Sequence, residues 1–141
     1  MSACVIDASA VLAHLFGERG GDEAEAWMDR GAAISTANVQ EVIAKLVSKD
    51  VGRGAALADA LGDAVRDVQA LVLEVVDLTW DDAVAAAALI PLQRSSNLSA
   101  GDRCCLALGK RLGVPVVHAE RAWQPLAGEL GLDLVPVREP K

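Results

Sequence analysis

The chain has 141 residues and a mass of 14.6 kDa, of which 52% are hydrophobic and 23% charged; this suits one globular domain and excludes a disordered tail or a second core. At about this size roughly two-thirds of the unfolded surface is buried on folding, so a core forms without disulfides or structural metal. Thirteen basic against twenty acidic residues give a net charge of -7, and aromatics stand at 3% with no Tyr, which excludes bulk electrostatic capture of nucleic acid and a base-stacking platform.

In chain order, Ala3 to Ile6 is a short apolar run ending at Asp7, the pattern of a buried strand, and Ser9 to Phe16 carries apolar residues at helical spacing up to Gly17. Residues 21–30 read as a short charged helix and Ala32 to Ser35 as a second buried strand. Asn38 then opens a helix through Val39, Val42, Ile43, Leu46 and Val47. Residues 53–70 place Leu57, Leu61, Val65 and Val68 on one helical face, Leu71 to Val76 follows as a strand, and Thr79 with Asp82 forms a capping box for a helix to about Leu92. After a polar loop at 93–97, Ser99 caps a helix that Gly113 ends. Val114 to Val117 is a fourth strand finishing at His118 and Glu120, and Leu132 to Val137 a fifth. Strands alternating with helices of this length predict an α/β fold: a three-layer α/β/α sandwich with a mainly parallel central sheet, in a single domain over residues 1–141.

Cys4, Cys104 and Cys105 are odd in number and show neither a C-x-x-C nor a Cys/His metal spacing, so they read as reduced core residues. The first basic residue is Arg19, and the longest uncharged apolar run, 83–92, is too short to cross a bilayer. The expectation is a cytoplasmic protein without membrane attachment.

Open parallel sheets bind ligands beyond the carboxyl ends of their strands, and four acids gather at that edge. Asp7 ends the first strand, and Glu120 lies two residues past the fourth. Glu41 and Asp102 each follow a capping-type residue, Asn38 and Ser99, by three positions, in the first turn of a helix. Like charges brought together destabilise a fold unless a cation offsets them. Oxygen donors without Cys point to a hard ion, Mg²⁺ or Mn²⁺. Each acid also has a plainer reading: Glu41 and Asp102 as helix caps, Asp7 as the opener of the first helix, Glu120 as a solvated partner of Arg121. Ser9 and Asn38 are candidates to hydrogen-bond the acids, with an ordinary N-cap as the alternative for Ser9. His14 reads as structural. Lys45 and Lys49, four residues apart, and Arg103 and Arg121, each directly after an acid, form either a basic rim for substrate or a solvated face.

The stretches VIDASAVLAHL, STANVQEVIAKL and LSAGDRCCLALGKRLGVPVVHAERAW, in this order and with the terminal strand, resemble a PIN domain of the VapC type over about residues 3–138. That resemblance implies a Mg²⁺- or Mn²⁺-dependent endoribonuclease, the toxin of a type II toxin-antitoxin pair. It implies an RNA substrate, a VapB-type antitoxin whose Arg enters the acidic pit, and a homodimer. It makes Asp7, Glu41 and Asp102 the first three acids, with Asp7 and Asp102 as direct ligands of the principal metal. At the fourth position the family usually has Thr or Ser, one residue, then Asp; this chain has His118, Ala119, Glu120, Arg121. Glu reaches the same ion with one more methylene. His118 either replaces the hydroxyl as a polar contact to phosphate or water, or is a strand-end His facing solvent. The departure leaves a second reading open: a PIN-like antitoxin-binding subunit with weak or lost nuclease activity.

Overall fold

The computed structural model describes residues 1–92 and 97–138. The elements, in chain order, are β1 (Cys4–Ile6), α1 (Ala8–Leu15), α2 (Gly21–Arg30), β2 (Ala32–Ser35), α3 (Thr36–Gly52), α4 (Leu57–Gln69), β3 (Leu73–Val76) and α5 (Trp80–Ala87). A 3₁₀ turn at Ile90–Leu92 precedes α6 (Ala100–Leu112), β4 (Val116–His118), a 3₁₀ segment at Arg121–Leu126, α7 (Ala127–Leu130) and β5 (Leu134–Pro136). Most of the polar loop expected at 93–97 lies outside the described residues.

The five strands pair in parallel in the order β3-β2-β1-β4-β5. Their side-chain alternation divides the core in two. Cys4, Ile6, Ile34 and Val117 face α1, α2 and α3, while Val5, Ala33 and Val116 face α6 and the segment carrying Trp123 and Leu126. A period of two along buried strands thus produces helices on both faces, and the three-layer α/β/α sandwich expected from the sequence is the fold. From β1 the chain builds outward to β2 and β3, then crosses back to place β4 on the other side of β1. The strand order reverses between β1 and β4, which opens a crevice beyond their carboxyl ends.

Three sequence expectations need correction. The α3 helix starts at Thr36 with Ser35 as its cap, the hydroxyl accepting from Ala37 N at 3.2 Å, so Asn38 is an interior residue, not the opener. The cap of α1 is Asp7, not Ser9. The helix expected to reach Leu92 stops at Ala87 and continues only as the 3₁₀ turn, because Pro91 cannot donate an amide hydrogen bond to continue it. The Thr79–Asp82 capping box is present, and Asp82 additionally takes two hydrogen bonds from the Arg111 guanidinium at 2.8 and 3.1 Å, which joins α5 to α6.

Gly109 sets how closely α6 approaches the sheet, since a Cβ there would overlap Cγ2 of the fully buried Val116. Val116 is β-branched, fully buried and restricted in χ1, so it yields little. Gly109→Ala should therefore lower unfolding stability by about 1–3 kcal/mol in urea titration despite its better helix propensity. A stability equal to or above the parent's would show that α6 moves freely.

Candidate active site

Asp7 follows the last residue of β1 and is 1% exposed. Its backbone amide remains in the sheet, donating to Val117 O at 2.8 Å, which turns the side chain into the crevice at the N-terminus of α1. Carboxylate Oδ2 accepts from Ser9 N at 3.0 Å and from Ser9 Oγ at 2.5 Å. Ser9 Oγ in turn accepts from Ala119 N at 2.9 Å. One serine thus ties Asp7 to the loop after β4, which carries Glu120. Asp7 Oδ1 is buried and accepts no hydrogen bond.

Glu41 comes from the second turn of α3. Buried Asn38 donates through Nδ2 to Glu41 Oε1 at 3.4 Å and to Gly101 O at 3.0 Å, which fastens α3 to the start of α6. Asn38 Oδ1, also buried, is left without a donor. Gly101 makes room for Glu41: a Cβ there would overlap Glu41 Oε1. Asp102, one residue on, completes a capping box with Ser99, with Oδ2 accepting from Ser99 N at 2.9 Å. The capping reading of Asp102 is therefore correct, and the same residue still belongs to the acid cluster. The capping reading of Glu41 is not, because α3 is capped by Ser35.

The electrostatics show that the four acids share one field. Burial first, then the charges of Asp102 and Glu41, raise the Asp7 carboxyl from its ordinary 3.8 to about 7, against the opposing Ser9 hydrogen bonds. Glu41 is raised by burial and then by Asp102 and Glu120, and Glu120 by burial and then by Asp102. Asp102 acts on all three. Lys45 acts on Glu41 and Glu120 in the opposite sense. Cys105, fully buried near Asp7, has its thiol pushed well up by burial and by the acids, so it stays protonated.

His118 is neither of the things expected of it. It is 0% exposed, so it does not face solvent or a phosphate. Its Nδ1 accepts from Glu120 N at 3.0 Å, which leaves Nε2 to donate to Gln124 Oε1 at 2.7 Å, and the ring stacks on Trp123 with centroids 4.9 Å apart. The Nδ1 bond is the same two-residue turn a Ser or Thr hydroxyl makes, so His118 shapes the backbone that presents Glu120. Burial holds its pKa below the ordinary value, consistent with the neutral tautomer that these two bonds require.

Of the proposed basic rim, Lys45 is exposed near the acids and Arg121 lines a cleft beside Glu120. Lys49 instead sits over the Phe16 ring, 4.1 Å from its centroid. Arg103 is half-buried with its Nε enclosed and unbonded. His14 pairs with Glu25 at 3.5 Å, in keeping with a structural role. Sequence reasoning missed Gly101 and Gln124. A glycine in the first turn of a helix was the available signal for the first, since it costs about 1 kcal/mol relative to Ala; Gln124 carries no local signal.

Among the described residues, no group of three His, Cys, Asp or Glu side chains forms a ready-made metal cage. An all-carboxylate set with one buried, unpartnered oxygen fits the other mode, in which Mg²⁺ or Mn²⁺ keeps most of its waters and takes one or two protein carboxylates.

The PIN domain family matches residues 4–129. The chain belongs to the PIN-domain family. No curated protein matches it in sequence. Solved structures share the fold at low identity. A toxin-antitoxin complex from Klebsiella pneumoniae superposes with a TM-score of 0.66 at 22% identity, covering 97% of this chain and 99% of that one. The VapBC-5 toxin-antitoxin member from Mycobacterium tuberculosis gives 0.61 at 20%, covering 96% and 99%. DNA-bound VapBC from Salmonella typhimurium gives 0.66 at 15%, covering 98% and 100%. Among the described residues of this PIN domain, no helix is long and apolar enough to cross a membrane.

Because the folded pKa of Asp7 lies above its unfolded value, the folded state is favoured below about pH 4 and loses that advantage as pH rises through about 7. Asp7→Asn removes the buried charge. In metal-free buffer the variant should exceed the parent by about 2–4 kcal/mol in urea unfolding at alkaline pH, with the gap closing toward acid pH. Parallel pH profiles for the two proteins would contradict the placement of Asp7.

Proposed function

We propose that this PIN domain is a Mg²⁺- or Mn²⁺-dependent endoribonuclease, the toxin of a type II toxin-antitoxin pair, with Asp7, Glu41, Asp102 and Glu120 as its working acids. The observation that supports the reading is that the charge of Asp102 acts on Asp7, Glu41 and Glu120 beside the sheet's switch point, with one oxygen of buried Asp7 unpartnered. RNA as substrate follows from the resemblance over residues 3–138. A VapB-type antitoxin as partner follows from it and from the toxin-antitoxin complexes that share the fold. The acidic pit suits an Arg from that antitoxin. A homodimer and a cytoplasmic setting belong to the same reading.

Asp7 and Asp102 would hold the ion, with Glu41 and Glu120 near it. When bound, it polarises the scissile phosphate and makes a bound water more acidic. Ser9 engages only Oδ2 of Asp7 and so leaves Oδ1 for that role. Asn38 fixes Glu41, whose raised pKa makes it a better proton acceptor near neutrality; it takes the proton of the attacking water at its carboxylate. Glu120 is presented by the His118 turn, which supports a working fourth position despite the change from Thr and Asp to His and Glu. Lys45 places a positive charge beside Glu41 and Glu120, where an RNA phosphate has to approach.

Purified protein should cleave structured RNA only with added Mg²⁺ or Mn²⁺, and Glu41→Gln should slow cleavage by about 10²–10⁴-fold. Undiminished cleavage by the Asp7→Asn, Asp102→Asn double variant would sink the reading. Gly101→Ala should leave the melting temperature within a few degrees of the parent while cutting the rate, because the added methyl displaces the Glu41 carboxylate and not the helix. An unchanged rate would remove Glu41 from the chemistry.

A further inference from the structure

Beside Glu120 an open cleft of about 710 Å³ is lined by Glu18, Arg19, Glu120, Arg121 and Arg138. Its three arginines come from three separate segments: the turn before α2, the 3₁₀ segment after β4, and the chain just past β5. In a protein of net charge -7, three arginines around one cleft are a local excess of positive charge over its two acids; elsewhere several basic side chains are held by acids or rings. Arg111 is held by Asp82, Arg66 by Asp63, Arg30 lies over Trp27, and Lys49 over Phe16. Arg138 pairs with Glu18 at 3.5 Å, an exposed contact that a stronger anion displaces at little cost.

The chemistry of the lining selects the ligand. Guanidinium forks match phosphate oxygens in a bidentate way. No aromatic residue lines the cleft, so it offers bases nothing to stack on and reads the backbone alone. The cleft is open and shares Glu120 with the acid site, so a strand cut at the acids runs on into it. Its volume falls within the roughly 300–1,000 Å³ of ordinary ligand sites.

We infer that the cleft of Arg19, Arg121 and Arg138 seats the phosphate backbone of the RNA strand next to the scissile bond, whatever its base sequence. This rests on the ribonuclease reading above, and its test measures binding so that the two can fail separately. The probe is a fluorescein-labelled single-stranded RNA of about 20 nucleotides, longer than the usual single-strand site, followed by anisotropy against salt in the Asp7→Asn background. Arg19→Gln, Arg121→Gln and Arg138→Gln together should weaken binding by about tenfold at low salt and make the slope of log K on log salt shallower by about 1–2. The same three positions changed to Lys should keep most of the slope, which separates charge from folding. Neutralising Arg53, Arg66 and Lys110 instead, an equal change in net charge, should leave affinity and slope as they were.

An unchanged affinity and slope in the neutralised cleft, with RNA still bound and cleaved by the parent, would overturn this inference alone. Saturable binding of inorganic phosphate that the Gln variant loses, with RNA affinity and slope unchanged in that variant, would overturn it in favour of a small-anion site. A parent protein that neither binds nor cleaves the RNA would overturn both readings.

Discussion

A carboxylate at the end of the central strand, shut away from water and without a basic partner, is the constraint on which the rest of this structure turns. Burying an unpaired charge is costly, and Asp7 meets Ser9 and the protonated Cys105 thiol as donors and two further acids as neighbours. The fold keeps it there by ordinary means. Parallel strands fix the backbone of β1 between β2 and β4, and the crossover after β3 leaves an open crevice above Asp7. Hydrogen bonds to that crevice's other walls run through small polar groups: Ser9 reaches the β4 loop, and Asn38 reaches the start of α6. Stability that a hydrophobic side chain would add at position 7 is forgone, and strain of this kind gathers where a fold holds a working site.

On the proposed ribonuclease reading, the same design reconciles an acidic molecule with an anionic substrate. The net charge of -7 repels nucleic acid at long range, so recognition has to be local. On that reading, acids concentrated at one edge would attract a divalent cation, and arginines concentrated beside them, around Glu120, supply the opposite sign a short distance away. Alternating potentials of this kind set register on a strand more than they add affinity.

Much of this was legible in the residues. The buried strands announced themselves as short apolar runs bounded by helical patterns, and two capping boxes at Thr79 and Ser99 lie where their Ser/Thr-x-x-Asp spacing puts them. Asp7 was legible as the opener of the first helix, which it caps, and as an acid at the strand edge where open parallel sheets bind ligands. The start of α3 was misjudged because Ser35, Thr36 and Asn38 all have capping chemistry, and only the tertiary contact from Asn38 to Gly101 decides among them. His118 was misjudged because nothing local shows that Trp123 and Gln124 fold back over it. The arginine cleft joins residues more than a hundred positions apart, and no periodicity reports such a distance.

The account stands most directly on proton-coupled metal binding. Isothermal titration of Mn²⁺ near pH 7, repeated in buffers of different ionisation enthalpy, measures both the affinity and the protons released. With the Asp7 carboxyl at about 7, saturable binding should release a substantial fraction of a proton, and Asp7→Asn should abolish that release. Absence of saturable binding, or proton release that survives in Asp7→Asn, would contradict the central claim that this buried carboxylate is kept unpaired for a cation.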